Sequence, residues 1–353
     1  MLKNSLYFAK TGKTISSGDL SESAILNTIV SECINDDEDI SPHSFCATQE
    51  DVTIWTLNSL ESSMYDRVVL RRNIDNARIT PKELFLKETK RLDKNRIKVK
   101  LFDWTWYEMS SDASYILKSL DQWPYKLIDF LKIICPSFLN IINTSIPNEN
   151  FPVYKFDFEK KKYTFQDVIG FVCDICCRFP IYTGGISGAY NQRDVEMKWY
   201  EPVDVKLYPA GDNFYYSGST FSDFDVKAIS GVHVLIKDDE TGERLYPEVP
   251  GTDEENLYTI TDNPLIDSFI SNVGEEMLDP YLESIKKEME GLEYTPCKLL
   301  VPARADIEPG KIFHFVDYAG KTHKAICMKK TTKGSNSTIE CTGNPMRKQY
   351  YNI

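Results

Sequence analysis

Lys311-Ile312-Phe313-His314-Phe315-Val316, the turn Tyr318-Ala319-Gly320-Lys321, and Thr322–Met328 read together as two strands flanking a glycine-bearing turn. Gly334-Ser335-Asn336 then leads into a further strand-like run, Ser337–Cys341, so this end of the chain is β. Working back, Asn263-Pro264-Leu265-Ile266 opens a long helical stretch, Ile266 to Met289, interrupted at Gly274 and Pro280. Before it lie strand-like runs at Val203–Tyr208 and Val232–Ile236 and a turn at Asp238-Asp239-Glu240-Thr241-Gly242. Thr164 with Asp167 forms an N-cap with an acidic N3 partner and opens a helix through about Arg178. Val168, Ile169, Val172, Cys176 and Phe179 supply its buried face, and it stops before Pro180, with a turn at Gly184-Gly185.

Further upstream, Val153–Phe158 alternates as a strand does, after the turn-rich Asn148–Pro152. Pro124 suits the first turn of a helix whose stripe is Leu127, Ile128, Leu131 and Ile134, and Pro136 ends it. Residues 1–105 read mainly as β, with strands at Val52–Leu57, Val68–Leu70 and Ile97–Leu101. Asp19–Leu26 is a polar connection entering a short apolar element, and Pro81 and the charged run Lys87–Arg96 mark a turn or hairpin tip. With β at both ends and helices between, the fold class is α+β and β-rich.

The chain has 353 residues, enough for two to four modest domains. Its 42% hydrophobic and 12% aromatic content belongs to a folded, soluble protein. No run reaches the roughly eighteen apolar residues of a membrane helix. Met1-Leu2-Lys3-Asn4-Ser5 lacks a secretion signal, so the expectation is a protein made and folded in a cytoplasm. A net charge of −12 opposes general or sequence-specific nucleic-acid binding. The charge is segregated: residues 1–62 carry ten acids against three bases, and 63–100 five against twelve. Residues 201–296 carry twenty-two acids against six bases, and 297–353 four against ten. Such blocks are solvated faces or complementary interfaces; on the second reading they meet across chain boundaries.

The candidate sites reduce to a few residues. Cys173, Cys176 and Cys177 suggest a metal site, but zinc needs four convergent ligands. The remaining cysteines (33, 46, 135, 297, 327, 341) and the histidines (43, 233, 314, 323) form no second pair. Burial on a helix explains the cysteines without metal, and an odd number, nine, argues against a disulfide framework. For enzymes, His-Glu-x-x-His is absent and Gly185-Ile186-Ser187-Gly188 has the wrong spacing for a serine elbow. His314 and His323 sit on hairpin strands as ordinary surface or barrel residues, while a pair of carboxylates stays open for a glycosidase. Tyr215-Tyr216 and Trp104–Tyr107 offer rings for sugar stacking or for small cores. The expectation is therefore no catalytic, cofactor-binding or metal residues and no cofactor.

The order of segments carries a resemblance. Phe102-Asp103-Trp104, a short helix ending in Cys135, and Tyr163-Thr164-Phe165-Gln166-Asp167-Val168-Ile169 are its first part. Tyr258–Ile266, with its Asn-Pro, is the second, and Tyr294-Thr295-Pro296-Cys297 followed by Ile307-Glu308-Pro309-Gly310-Lys311-Ile312 is the third. Over nearly its whole length the chain resembles the tail hub family of tailed phages, phage-tail-like bacteriocins and related contractile injection systems. Lys311 stands where the family usually has Asp. The resemblance implies two small β-barrels per chain with α/β insertions: the first barrel over 1–105, a peripheral α/β domain over 106–199, and a second barrel over 200–353. That second barrel joins strands near 200–210 with 294–353 around an insertion at 211–293. It also implies a homotrimeric baseplate ring in the virion tail, assembled in the host cytoplasm. A tail tube or distal tail protein stands above it, a spike, fibre or tip protein below it, and a tape-measure protein in its bore. The rival readings are a tail-tip cell-wall hydrolase and a receptor- or carbohydrate-binding tip protein.

Overall fold

The computed structural model describes residues 3–10, 25–33, 49–55, 65–74, 77–103, 105, 109–135, 139–143, 145–159, 161–184, 193–238, 242–247 and 257–343. Six antiparallel strands come first: β1 (Lys3–Lys10), β2 (Ile25–Cys33), β3 (Gln49–Trp55), β4 (Tyr65–Ile74), β5 (Ala77–Arg91) and β6 (Arg96–Asp103). In β6, Ile97, Val99 and Leu101 are buried while Lys98 and Lys100 are not, the alternation a half-buried strand requires. Pro81 marks no turn; it lies inside β5. Leu70 pairs with Lys82 and Arg72 with Ile79, so Thr80 and Pro81 oppose the single residue Arg71 in a bulge. A bulge tolerates a residue with no N–H to give to the ladder. The charged run does form the hairpin tip, where Leu92 N donates to Arg96 O at 2.9 Å.

The next segment holds α1 (Ser114–Ser119), β7 (Tyr125–Lys126), α2 (Leu127–Ile134), β8 (Leu139–Asn143), β9 (Pro152–Val153), α3 (Phe165–Cys176), β10 (Phe179–Gly184) and β11 (Arg193–Lys198). Pro124 precedes β7 and lies outside the helix. Leu127 N donates to Phe151 O and Ile128 N to Glu149 O, so the turn at 148–151 fixes where α2 begins. The α2 stripe, Leu127, Ile128, Leu131 and Ile134, is buried as its spacing requires. Of the expected strand only Val153 joins a ladder, together with Pro152 before it; Phe156 and Phe158 bury alternate side chains without one. Thr164 and Asp167 form the full capping box, Thr164 Oγ1 accepting from Asp167 N at 3.2 Å and Asp167 Oδ2 from Thr164 N at 2.8 Å. Helix α3 ends two residues early because Cys177 turns left-handed (φ 50°), and Phe179 and Pro180 belong to β10. Pro136 and Gly185 lie outside the described residues.

Strands β12 (Glu201–Leu207), β13 (Thr220–Phe221), β14 (Gly231–Asp238), β15 (Gly242–Tyr246) and β16 (Leu257–Ile260) lead to α4 (Pro264–Val273), a 3-10 turn at Glu275–Leu278, and α5 (Asp279–Met289). Asn263 caps α4 through Oδ1, which accepts from Leu265 N, with proline at the first helical position. Its Nδ2 donates to Phe171 O and to Asp174 Oδ2, both at 3.0 Å, inside the core. Asn148 Nδ2 likewise reaches Ile175 O and Tyr281 O, Arg178 pairs with Glu288 at 2.8 Å, and Phe151 stacks on Phe269. The helices α3, α4 and α5 are thereby tied by amide hydrogen bonds, buried at Asn263 and half-buried at Asn148.

The last strands are β17 (Cys297–Pro302), β18 (Lys311–Val316), β19 (Thr322–Ile326), β20 (Lys329–Lys333) and β21 (Asn336–Cys341). Among the described residues, one ten-stranded sheet runs β1-β4-β5-β6-β3-β2-β20-β21-β17-β13, and β12-β18-β19 forms a separate three-stranded sheet. The two chain ends thus share one ladder through β2 and β20, Ile29 to Cys33 opposite Lys333 to Lys329. No described sheet closes into a barrel. The fold class is β-rich α+β.

Candidate assembly site

Where the three-stranded sheet packs beside the C-terminal strands of the large one, polar side chains enter an apolar setting. Phe313 and Phe315 of β18 are fully buried, as are Leu299, Val301 and Ile339 of β17 and β21. Into this apolar setting β19 projects His323. Its ring lies 5.0 Å from Phe315 at 15° and 6.3 Å from Phe221 at 29°. His323 Nε2 sits 3.0 Å from Asp317 Oδ2, and Nδ1 sits 3.0 Å from Thr295 Oγ1. Asp317 Oδ1 also accepts from Ala319 N and Lys321 N in the hairpin turn. The His323 hydrogen bond, aided by these backbone donors, holds the Asp317 carboxyl below the usual carboxylate range despite some desolvation.

Thr295, His323 and Asp317 have the connectivity of nucleophile, base and orienting acid. Thr295, however, is 2% exposed and its hydroxyl donates to Asp225. A hydroxyl committed to one carboxylate and closed off from solvent attacks nothing; the chain of contacts fastens the β18–β19 turn to the loops at 225 and 295. In the sequence His323 reads as an ordinary strand residue. The signal it carried was Asp317 followed by Gly320 and His323, a turn-capping aspartate within reach of a strand histidine. His314, in contrast, faces outward.

Cys173, Cys176 and Cys177 are buried at the end of α3. Burial pushes the Cys176 thiol up to about 12 and those of Cys173 and Cys177 well above the ordinary value. Among the described residues no three His, Cys, Asp or Glu side chains are grouped to hold a metal. Gly185-Ile186-Ser187-Gly188, Trp104, Trp106, Tyr107, His43 and Cys46 lie outside the described residues. The Tyr215-Tyr216 pair divides: Tyr215 is buried with its hydroxyl on Val316 O, and Tyr216 is partly exposed against Phe214. Tyr318, 61% exposed, borders Tyr215 and Phe221 and with Tyr208 leaves aromatic surface open.

Part of the segregated charge is satisfied within the chain. Lys311 pairs with Glu201 across β12 and β18, where the two residues are direct partners, and Glu201 is lowered chiefly by that hydrogen bond. Lys321 approaches Asp225 at 3.8 Å and Lys298 pairs with Glu340 at 3.0 Å. Lys330 is buried, donating to Arg304 O at 2.6 Å and Ile307 O at 2.8 Å, beside the β2 junction where its register partner is Glu32. Among the described residues no helix is long and apolar enough to cross a membrane.

No family model matches the sequence, and no curated protein matches it. Solved structures do. The 43 kDa tail protein of prophage MuSo2 from Shewanella oneidensis superposes with a TM-score of 0.53 at 11% identity, covering 96% of this chain and 97% of that one. This is the fold of phage tail proteins. The tail protein from Neisseria meningitidis MC58 shares it, with a TM-score of 0.51, 11% identity and 97% coverage of both chains. So does prophage tail protein gp18 from Listeria monocytogenes EGD-e, at 0.50 and 11%, covering 95% of this chain and 94% of that one. The tail-protein fold therefore extends over the whole arrangement of sheets and helices and is not confined to one element.

Proposed function

We propose that this chain is a structural, non-enzymatic component of a phage-type tail, a hub ring between the tail tube and the tail tip. The observation that carries the reading is the likeness to tail proteins over nearly the full length of both chains. In this reading three copies form a ring, and each contributes two barrel-like units. One is built on residues 1–105 and one on 200–353, with 106–199 and 211–293 on the periphery. Six such units face a sixfold tube or distal tail protein above, three chains face a spike, fibre or tip protein below, and a tape-measure protein occupies the bore. The virion tail is the site of action and the host cytoplasm the site of assembly.

Open strand edges support an assembled state. Among the described residues the ten-stranded sheet ends at β1 and β13, and unpaired edges are liabilities in a lone soluble chain. Closed rotational symmetry covers such edges with equivalent surfaces. The committed Thr295 hydroxyl supports a scaffold over a hydrolase. Light scattering of the purified protein at high concentration tests the ring: a mass near three times the 40.6 kDa of one chain is expected. Electron microscopy of the particle supplies the copy number. A persistent monomer in solution together with six copies per particle overturns the reading.

A further inference from the structure

Cys297 opens β17 and Cys341 closes β21, and the two are direct partners in the antiparallel register. Directly opposed residues of an antiparallel pair carry their side chains on the same face, with Cα atoms about 4.5 or about 5.5 Å apart. Both separations fall inside the roughly 4.4–6.8 Å that a disulfide spans. Burial first, and a hydrogen bond with Cys341 second, push the Cys297 thiol well above its ordinary value. An open cleft of about 510 Å³ is lined by both cysteines together with Phe221, Lys298 and Glu340. Strand β13 lies against this edge, pairing Thr220 with Lys298 and Phe221 with Cys297, and Ser222 N donates to Pro296 O at 2.9 Å beside them.

We propose that Cys297 and Cys341 form a redox-responsive dithiol that closes to a cross-strand disulfide by exchange with a small-molecule disulfide admitted through this cleft. One cysteine thiolate attacks a sulfur of the reagent, the reagent's S–S bond breaks, and the first thiol leaves. The second cysteine sulfur, deprotonated, then attacks the mixed disulfide and expels the second thiol. The net change is two cysteine thiols and one disulfide becoming one protein disulfide and two small thiols, so the two electrons lost by the protein reduce the reagent. Because attack needs the thiolate, a buried, protonated pair reacts slowly. In a thiol-rich cytoplasm the pair stays reduced, and in surroundings where disulfides dominate it closes. Cys327, fully buried and adjacent, is the competing third thiol.

The test is incubation of the intact folded protein with oxidised glutathione, followed by alkylation and peptide mapping under non-reducing conditions. The expected result is a link between the peptides carrying residues 297 and 341. It forms over hours, costs the protein two hydrogens in mass, reverses with dithiothreitol, and raises Tm by several degrees relative to the reduced protein. Cys297→Ser removes both the link and the Tm shift, whereas Cys327→Ser leaves them. Should Cys297→Ser fail to fold, the wild-type map and the Cys327→Ser variant decide alone. Stable glutathione adducts without a 297–341 link, a link to Cys327 instead, or thiols that stay unreacted until the protein is denatured overturn the proposal.

Discussion

Two hairpin tips in this chain are built with the same device and placed in opposite surroundings. At the β5–β6 tip, Asp93 Oδ1 accepts from Asn95 N at 2.9 Å and Oδ2 takes the Arg96 guanidinium. At the β18–β19 tip, Asp317 Oδ1 accepts from Ala319 N and Lys321 N, and Oδ2 takes the His323 ring. Both carboxyls sit below their usual range. The Arg96 and Asp93 side chains are 54% and 42% exposed, whereas His323 and Asp317 are 7% and 15% exposed. A turn aspartate thus sets local geometry in both places, but only where its partner is roofed by Phe315 and Phe221 does it also bind separate loops together. The chemistry of a turn is local; its energetic weight is set by what covers it.

The sharpest way to break this contrast is to remove the roof. Phe315→Ala leaves a cavity beneath His323 and is expected to cost about 3–5 kcal/mol in urea unfolding. A loss below about 1 kcal/mol means the three-stranded sheet is not packed as described. The acid limb separates the two aspartates next. A depressed folded pKa adds stability that is present above the unfolded carboxylate value, near 3.9, and vanishes as pH falls through the folded value. Asp317→Asn should therefore lower stability at neutral pH and converge with wild type at low pH, with a larger acid-midpoint shift than Asp93→Asn. Equal shifts for the two would erase the comparison.

Gly320, at φ 87°, holds the left-handed position of the inner tip, and Gly320→Ala is expected to cost about 1–2 kcal/mol. Thermal unfolding reads this directly, and an unchanged Tm would mean that the turn relaxes. Smallest is Arg96→Ala at the outer tip, where an exposed pair contributes about 0.2–1 kcal/mol. A change above 2 kcal/mol there would show that the outer tip is covered in solution, as contact with another chain would cover it.

Short-range signals were legible in the sequence. The Thr164–Asp167 capping box, the Asn263-Pro264 helix start and the hairpin around Gly320 depend on residues a few positions apart, and each forms where its pattern falls. Features set by distant partners were not. Pro81 reads as a turn, yet the register of β4 makes it a bulge. Val153–Phe158 alternates like a strand, but its backbone beyond Val153 finds no ladder. The start of α2 depends on carbonyls of residues 149 and 151, which no local rule around Pro124 discloses. The Asp317–His323 half of the inner site is local, but its other half is not, since Thr295 and Asp225 reach it from other loops.

The join between β2 and β20 also imposes a schedule. Ser31 and Thr331, whose hydroxyls meet at 2.9 Å, are 300 residues apart in the chain. At the roughly 5–20 residues per second of protein synthesis, that separation takes roughly 15–60 s to emerge. For that interval one flank of β2 has no native neighbour, and an unpaired strand flank is where nascent chains aggregate. A ribosome stalled anywhere before Lys329 leaves the flank open, so a strand made late protects one made early.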